Sequence, residues 1–222
     1  MTTLASPIQI RNRLVKNRIV LPPLVICGLH PDGRVNDEVA AHYGRFAQGG
    51  CGIIIQEATC VSANGKLAGP QLGLWQDSQI DESRRIVERC LPYETLLLVQ
   101  IHYASKQGEP DHVTQVGPSP YVNQDGVHRE LTIGEVEKIR DEFVAAAIRA
   151  EKAGYHGIEL HGAHGYLLCA FMNTRLNQRS DKYGDTMQLV GEIIRGIRQN
   201  AGQDFIVAIR VGADNPDISV GQ

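Results

Sequence analysis

The feature that most limits what this chain can fold into is its alternation of short apolar runs with longer amphipathic segments. The runs at 53–55, 96–99, 157–160 and 205–211 are too short for stable helices and show little polar alternation. A strand wetted on one face alternates polar with apolar residues, so runs of this kind suit strands covered on both faces. A further extended run at 18–21 stops at Pro22 and Pro23, because proline restricts the residue before it and lacks a donor of its own. Helical spacing fills the intervals. The first helix spans 36–48, with Asn36 as N-cap and Gly49 and Gly50 as the stop. A second spans 78–90 and is ended by Pro92. At 132–153, Thr132 with Glu135 three residues on forms a capping box, and Gly154 terminates the helix. The last helix spans 187–200, stopped by Ala201 and Gly202. The stretch 105–130, rich in Gly, Pro and Asp, reads as one long loop.

Strand and helix in alternation, with apolar strands, mean an α/β fold with a parallel sheet faced by helices. Two architectures fit: an open doubly wound sheet and a (β/α)8 barrel of the TIM type. No G-x-G-x-x-G follows the first strand, so the dinucleotide-binding signature of the open sheet is missing. Polar residues instead gather just past several strands: Glu57, Gln100, His161 with His164, and Arg210. That distribution favours a barrel, whose active site is built at the C-terminal ends of its strands. A closed barrel takes about eight strands and roughly 250 residues, whereas five strands are readable in these 222 residues. The expectation is one unit, 1–222, matching the first five βα units of a barrel and carrying no second domain. Its uncovered sheet edges favour self-association, so a homo-oligomer is expected.

Composition narrows the functional classes. With 42% hydrophobic and 21% charged residues and a net charge of -3, the chain offers no basic face for nucleic acid. No apolar run approaches the roughly 20 residues needed to cross a bilayer, and residues 1–7 lack the charged and apolar regions of a secretory signal. The five cysteines are scattered and never spaced C-x-x-C, which fits reduced thiols in a cytoplasmic protein better than a disulfide framework or a zinc knuckle.

The chemistry concentrates at His161, His164 and Tyr166, spaced H-x-x-H-x-Y at the exit of the 157–160 run. Two imidazoles can hold one substrate oxygen, and a phenol that titrates near ~10 keeps a proton to donate at neutral pH. The bland alternatives are a core imidazole with a surface one, and a tyrosine packed at a helix start. Metal binding is a further alternative, with Glu159 as the nearest carboxylate, but no third ligand stands at a familiar spacing. Arg210 ends an apolar strand and needs an anion, a dipole or a salt bridge across the barrel mouth. Gln100 carries an amide suited to a heterocycle edge, or to a buried hydrogen bond.

In combination these residues resemble the old yellow enzyme family of flavin-dependent ene-reductases, especially the bacterial branch with enoate and dienoyl-thioester reductases. The resemblance covers nearly the whole chain. It rests on 16–23 (KNRIVLPP), 41–43 (AHY), Glu57 with Ala58, Gln100 with Ile101, 161–166 (HGAHGY), Asn177, Arg179, Asp181, Tyr183, Gly184 and 209–211 (IRV). It implies a (β/α)8 barrel holding FMN noncovalently over its strand ends. Pro23, Leu24 and Ala58 would border the flavin through backbone groups, Gln100 would meet the pyrimidine edge, and Arg210 would stabilise negative charge on the reduced ring. His161 and His164 would hold the carbonyl oxygen of an enone or enoate-type substrate, Tyr166 would protonate its α-carbon, and NADH or NADPH would act as reductant. No metal is implied. Two departures stand out: Val25 occupies a position where relatives carry a hydrogen-bonding Thr or Cys, and 185–189 is shorter than the family pattern. The family's phosphate site belongs to late strands beyond the five readable here, so weak FMN binding by 1–222 alone is expected. A metal-dependent barrel hydrolase and a non-catalytic remnant remain the alternatives.

Overall fold

The computed structural model describes residues 1–67, 69–107, 113–123 and 126–212. In chain order, β1 (Ile8–Ile10) and β2 (Arg13–Val15) pair as an antiparallel hairpin. Next come β3 (Val20–Leu21), α1 (Asp37–Gln48), β4 (Ile53–Cys60), α2 (Gln79–Cys90) and β5 (Leu96–His102). Four short strands follow: β6 (Lys106–Gln107), β7 (Thr114–Gly117), β8 (Tyr121–Asn123) and β9 (Gly126–Glu130). The order closes with α3 (Ile133–Ala153), β10 (Gly157–Gly162), α4 (Leu167–Met172), α5 (Gln188–Asn200) and β11 (Ile206–Val211).

Among the described residues the main sheet has five parallel strands in the order β11-β10-β5-β4-β3. Period-2 alternation divides its side chains between two faces. Ile54, Leu97, Val99, Ile101, Ile158 and Leu160 face outward and join Val39, Ile86, Phe143 and Ile193 of the helices in the principal core. Ile55, Leu96, Leu98 and Ile206 face inward and form a second cluster with Val15 of the hairpin, flanked by Ile8 and Ile10. The hairpin therefore plugs the N-terminal end of the sheet's concave side. The sequence reading leaves 8–15 unassigned because three-residue strands are too short to declare a period. At the start of β10, a Cβ on Gly157 would sit 2.3 Å from the Ile206 carbonyl oxygen, so the close approach of β10 to β11 depends on the missing side chain.

The helices obey their local signals. The Asn36 side chain accepts from the Val39 amide, Thr132 and Glu135 form the capping box, and Gly154 ends α3 at φ 101°. Pro92 lies inside a short 3-10 turn that ends α2. Two expectations need correction. The 105–130 stretch is not an unstructured loop: β6 to β9 make a four-stranded sheet, order β6-β7-β9-β8. Its strands hold two to five residues each, too few for periodicity to register, and residues 108–112 and 124–125 lie outside the described set. Arg179 bolts this lobe to the barrel by donating to the carbonyls of Pro118 (2.8 Å) and Leu131 (2.6 Å) while pairing with Asp181. Asn177 bridges the carbonyls of Phe171 and Tyr183. The second correction concerns strand length. Glu57, Gln100, His161 and Arg210 lie within β4, β5, β10 and β11, not past their ends. A buried polar residue does not end a strand when it finds a partner: Glu159 of β10 meets Gln100, and Tyr43 of α1 with Ile26 and His30 of the loop before it meet Glu57. The chain end expected after the fifth strand, 213–222, lies outside the described residues.

Candidate active site

The C-terminal rim of the sheet collects the polar groups. On β10, Glu159 and His161 share the inner face. His161 stands in register with Arg210 on β11, and Glu159 with Gln100 on β5. Past β10 the chain turns sharply, with His164 at φ 59° and Gly165 at φ 75°. A left-handed histidine is uncommon and is retained where the surroundings impose it, which happens most often at functional sites. The turn returns Tyr166 to the N-cap of α4, its amide bonded to the Ala163 carbonyl at 3.3 Å.

The rings come together. His161 and His164 have centroids 5.1 Å apart, and Tyr166 lies 5.0 Å from His161, all edge to face. The Ala163 amide donates to His161 Nδ1 at 3.4 Å, which makes that nitrogen the acceptor and puts the ring proton on Nε2. Burial first, then His164 and the Arg210 charge, pushes His161 down to about 4. Burial and Arg210 also lower His164. Both rings are therefore neutral near pH 7 and donate hydrogen bonds without carrying charge.

Arg210 is half-buried, and its charge is felt at Glu159, His161 and His164. No salt bridge crosses the mouth: among the described residues no carboxylate lies within ion-pair distance of Arg210. Gln100 sits one layer deeper, its Nε2 donating to Glu159 Oε1 at 2.7 Å.

The loop after β3 opens on the same rim. Leu24 is 74% exposed, and Pro23 and Val25 are half-buried. Glu57 ties this loop down. Its Oε2 accepts from the Ile26 amide (3.1 Å) and bonds His30 Nε2 (2.9 Å), and its Oε1 accepts from the Tyr43 hydroxyl (3.2 Å). Ala58 is buried at an irregularity in the β4–β5 register, and its carbonyl accepts from Gln71 Nε2 at 2.8 Å.

Sequence reasoning missed His102. It ends β5 fully buried, edge-on to Tyr166 at 4.5 Å and 5.2 Å from His161, and neither ring nitrogen has a hydrogen-bond partner. Burial, then His161 and His164, pushes its pKa well down. Two residues after Gln100 on the same face, it could have been found by alternation alone. Among the described residues no group of three or more His, Cys, Asp or Glu is placed to hold a metal ion. No helix among them is long and apolar enough to cross a membrane.

Helices outside, parallel strands inside and a polar cluster on the C-terminal rim define part of a (β/α)8 barrel of the TIM type. A sequence model of the family described as NADH:flavin oxidoreductase / NADH oxidase matches residues 3–219, and the chain belongs to that family. An NADH oxidase from Thermoanaerobacter brockii is 39% identical over 216 residues, which span 93% of this chain and 33% of that protein. An NADPH dehydrogenase from Clostridium acetobutylicum is 32% identical over 212 residues, 93% of this chain and 62% of that one. The solved old yellow enzyme homologue from Zymomonas mobilis superposes with a TM-score of 0.82 at 27% identity, over 94% of this chain and 63% of the other. The chain thus spans a third of the length of one relative and under two thirds of the others.

Proposed function

We propose that this chain is the N-terminal part of a flavin-binding barrel, 1–222, in an FMN-dependent ene-reductase that draws on NADH or NADPH and reduces an enone or enoate-type small molecule. One observation carries the reading: two neutral imidazoles and a phenol share a rim with the guanidinium of Arg210, the His161 ring lying 5.1 Å from that of His164 and 5.0 Å from that of Tyr166. The residues present fit an FMN ring. Arg210 is a cation at the mouth with no carboxylate partner among the described residues, Gln100 offers an amide, and the loop of Pro23, Leu24 and Val25 on the same rim is tied down through Glu57. Val25 has only an apolar side chain to offer there, and Ala58, whose carbonyl accepts from Gln71, would border the ring through its backbone.

FMN, when bound, supplies the hydride that the nicotinamide has delivered to it. His161 donates through Nε2–H and His164 beside it binds the same substrate oxygen, drawing electron density from the alkene. Tyr166 hands its phenolic proton to the α-carbon. Arg210 stabilises negative charge that develops on the ring side of the pocket. A cytoplasmic homo-oligomer with no metal, no nucleic-acid partner and no membrane partner belongs to the same reading. The relatives' names and the family's flavin chemistry support it above a metal-dependent hydrolase.

The test uses the purified protein that contains this chain. Uptake of FMN, seen as a flavin absorbance band, and NAD(P)H-driven reduction of cyclohex-2-enone are the expected results. Tyr166→Phe should slow alkene reduction about 10²–10⁴-fold, the usual worth of general acid catalysis, while flavin reduction by NAD(P)H proceeds unchanged. Equal losses in the two half-reactions would remove Tyr166 from the role of proton donor, and a protein that takes up no FMN would end the reading.

A further inference from the structure

Glu159 has no part in the chemistry just described, yet it lies between the two groups assigned to the flavin. Its side chain is buried on the inner face of β10. Its backbone is in register with Gln100 on one side and with Ala208 on the other, and Arg210 follows Ala208 by two residues on the same face of β11. Gln100 Nε2 donates to its Oε1 at 2.7 Å. Burial leaves the Glu159 pKa above the ordinary carboxylate value, with the Gln100 hydrogen bond and the Arg210 charge opposing the rise.

A carboxylate accepts hydrogen bonds and cannot donate them. It therefore dictates which end of the Gln100 amide faces it: the NH2 turns to Glu159, and the carbonyl oxygen is left for whatever binds above. A free carbonyl oxygen recognises an N–H donor. On the pyrimidine edge of a flavin that donor is the single ring N–H, flanked by two carbonyls that would instead call for the NH2 end. The same carboxylate also places a negative charge near Arg210 in a region shielded from water, where charges act over longer distances than in solvent.

We propose that Glu159 is a positioning residue for the flavin: it fixes Gln100 with its carbonyl oxygen toward the ring N–H, and its charge offsets Arg210 so that the site does not over-stabilise the reduced, anionic ring. The proposal rests on the FMN reading above.

Two substitutions separate its halves. Glu159→Gln keeps the shape and an acceptor for Gln100 but removes the charge. It should leave the Kd for oxidised FMN within about threefold of wild type and shift the bound reduced-to-oxidised ratio at least tenfold toward reduced. For a two-electron couple a tenfold shift corresponds to about 30 mV, readable by equilibration with a redox dye. Glu159→Leu also removes the acceptor, and should weaken oxidised FMN binding at least tenfold. An unchanged potential in Glu159→Gln overturns the proposal, as does unchanged FMN affinity in a folded Glu159→Leu protein. If Glu159→Leu does not fold, the potential of Glu159→Gln decides alone. A third readout needs no flavin. The 15N-labelled side-chain amide of Gln100 should report the titration of Glu159 in the wild type and lose that response in Glu159→Gln, and an amide signal indifferent to the substitution overturns the positioning. Wild-type protein that takes up no FMN sinks the functional reading, while the Gln100 signal still tests the contact.

Discussion

Replacing Glu57 by leucine should cost this protein a large part of its stability. The carboxylate is fully buried, and so is the His30 ring that bonds it at 2.9 Å. The Tyr43 hydroxyl donates to it at 3.2 Å and accepts from the Glu57 amide at 3.0 Å. The Ile26 amide donates at 3.1 Å from a half-buried position. Leucine removes the acceptor and leaves the His30 and Tyr43 donors buried without one. Each stranded donor costs about 1–3 kcal/mol, so the pair costs about 4 kcal/mol, in line with the roughly 3–5 kcal/mol for breaking a buried ion pair. The Ile26 amide can turn to water and adds little. Against a total of about 5–15 kcal/mol for a domain, the loss is readily measured. Urea unfolding followed by far-UV circular dichroism, extrapolated linearly, gives the difference. Amide exchange at Ile26 and Leu29 should accelerate, because the carboxylate is what holds the loop carrying Pro23, Leu24 and Val25. Glu57→Gln, which retains one carbonyl acceptor, should fall between wild type and Glu57→Leu. A loss below about 1 kcal/mol for Glu57→Leu, at an unchanged m-value, would refute this account of the cluster.

The pH dependence of stability follows from the depressed imidazoles. Between the ordinary histidine value of 6.5 and about 4, the unfolded chain binds a proton that folded His161 refuses. Stability should therefore fall as pH drops through that window, by up to about 3 kcal/mol from this group at 1.36 kcal/mol per pKa unit. His156, also lowered to about 4 by burial and then Arg13, acts in the same direction. Urea midpoints at pH 7, 5.5 and 4.5 should show a steeper decline for wild type than for His161→Gln, and equal slopes would contradict the assignment. His102→Phe keeps a ring against Tyr166 and deletes two unpartnered buried nitrogens. At about 1–3 kcal/mol per unmade bond, the substitution should be neutral or stabilising by thermal unfolding. A clear loss of stability would mean that the imidazole is satisfied in solution.

Some of this protein is written locally. Asn36, the Thr132 and Glu135 box and Gly154 act within one helical turn, so they are readable without the rest of the chain. His161, His164 and Tyr166 lie within six residues at a strand exit, and a single turn brings their rings together. Other features join residues far apart in the chain. Glu57 meets His30 and Tyr43 from positions 27 and 14 residues away, and Gln100 meets Glu159 across 59. Nothing in the neighbourhood of either partner signals the contact.

The sequence by itself determined the parallel order of strands and helices and the placing of an H-x-x-H-x-Y group on one rim, because both follow from short-range periodicity and turn chemistry. Only the tertiary structure decided that Gln100 faces a carboxylate, that Glu57 anchors a loop, that His102 is sealed beneath Tyr166 and that 105–130 holds a small sheet. The reason is physical: strand register and burial choose a polar group's partner, and a chain of letters encodes neither until its strands have paired.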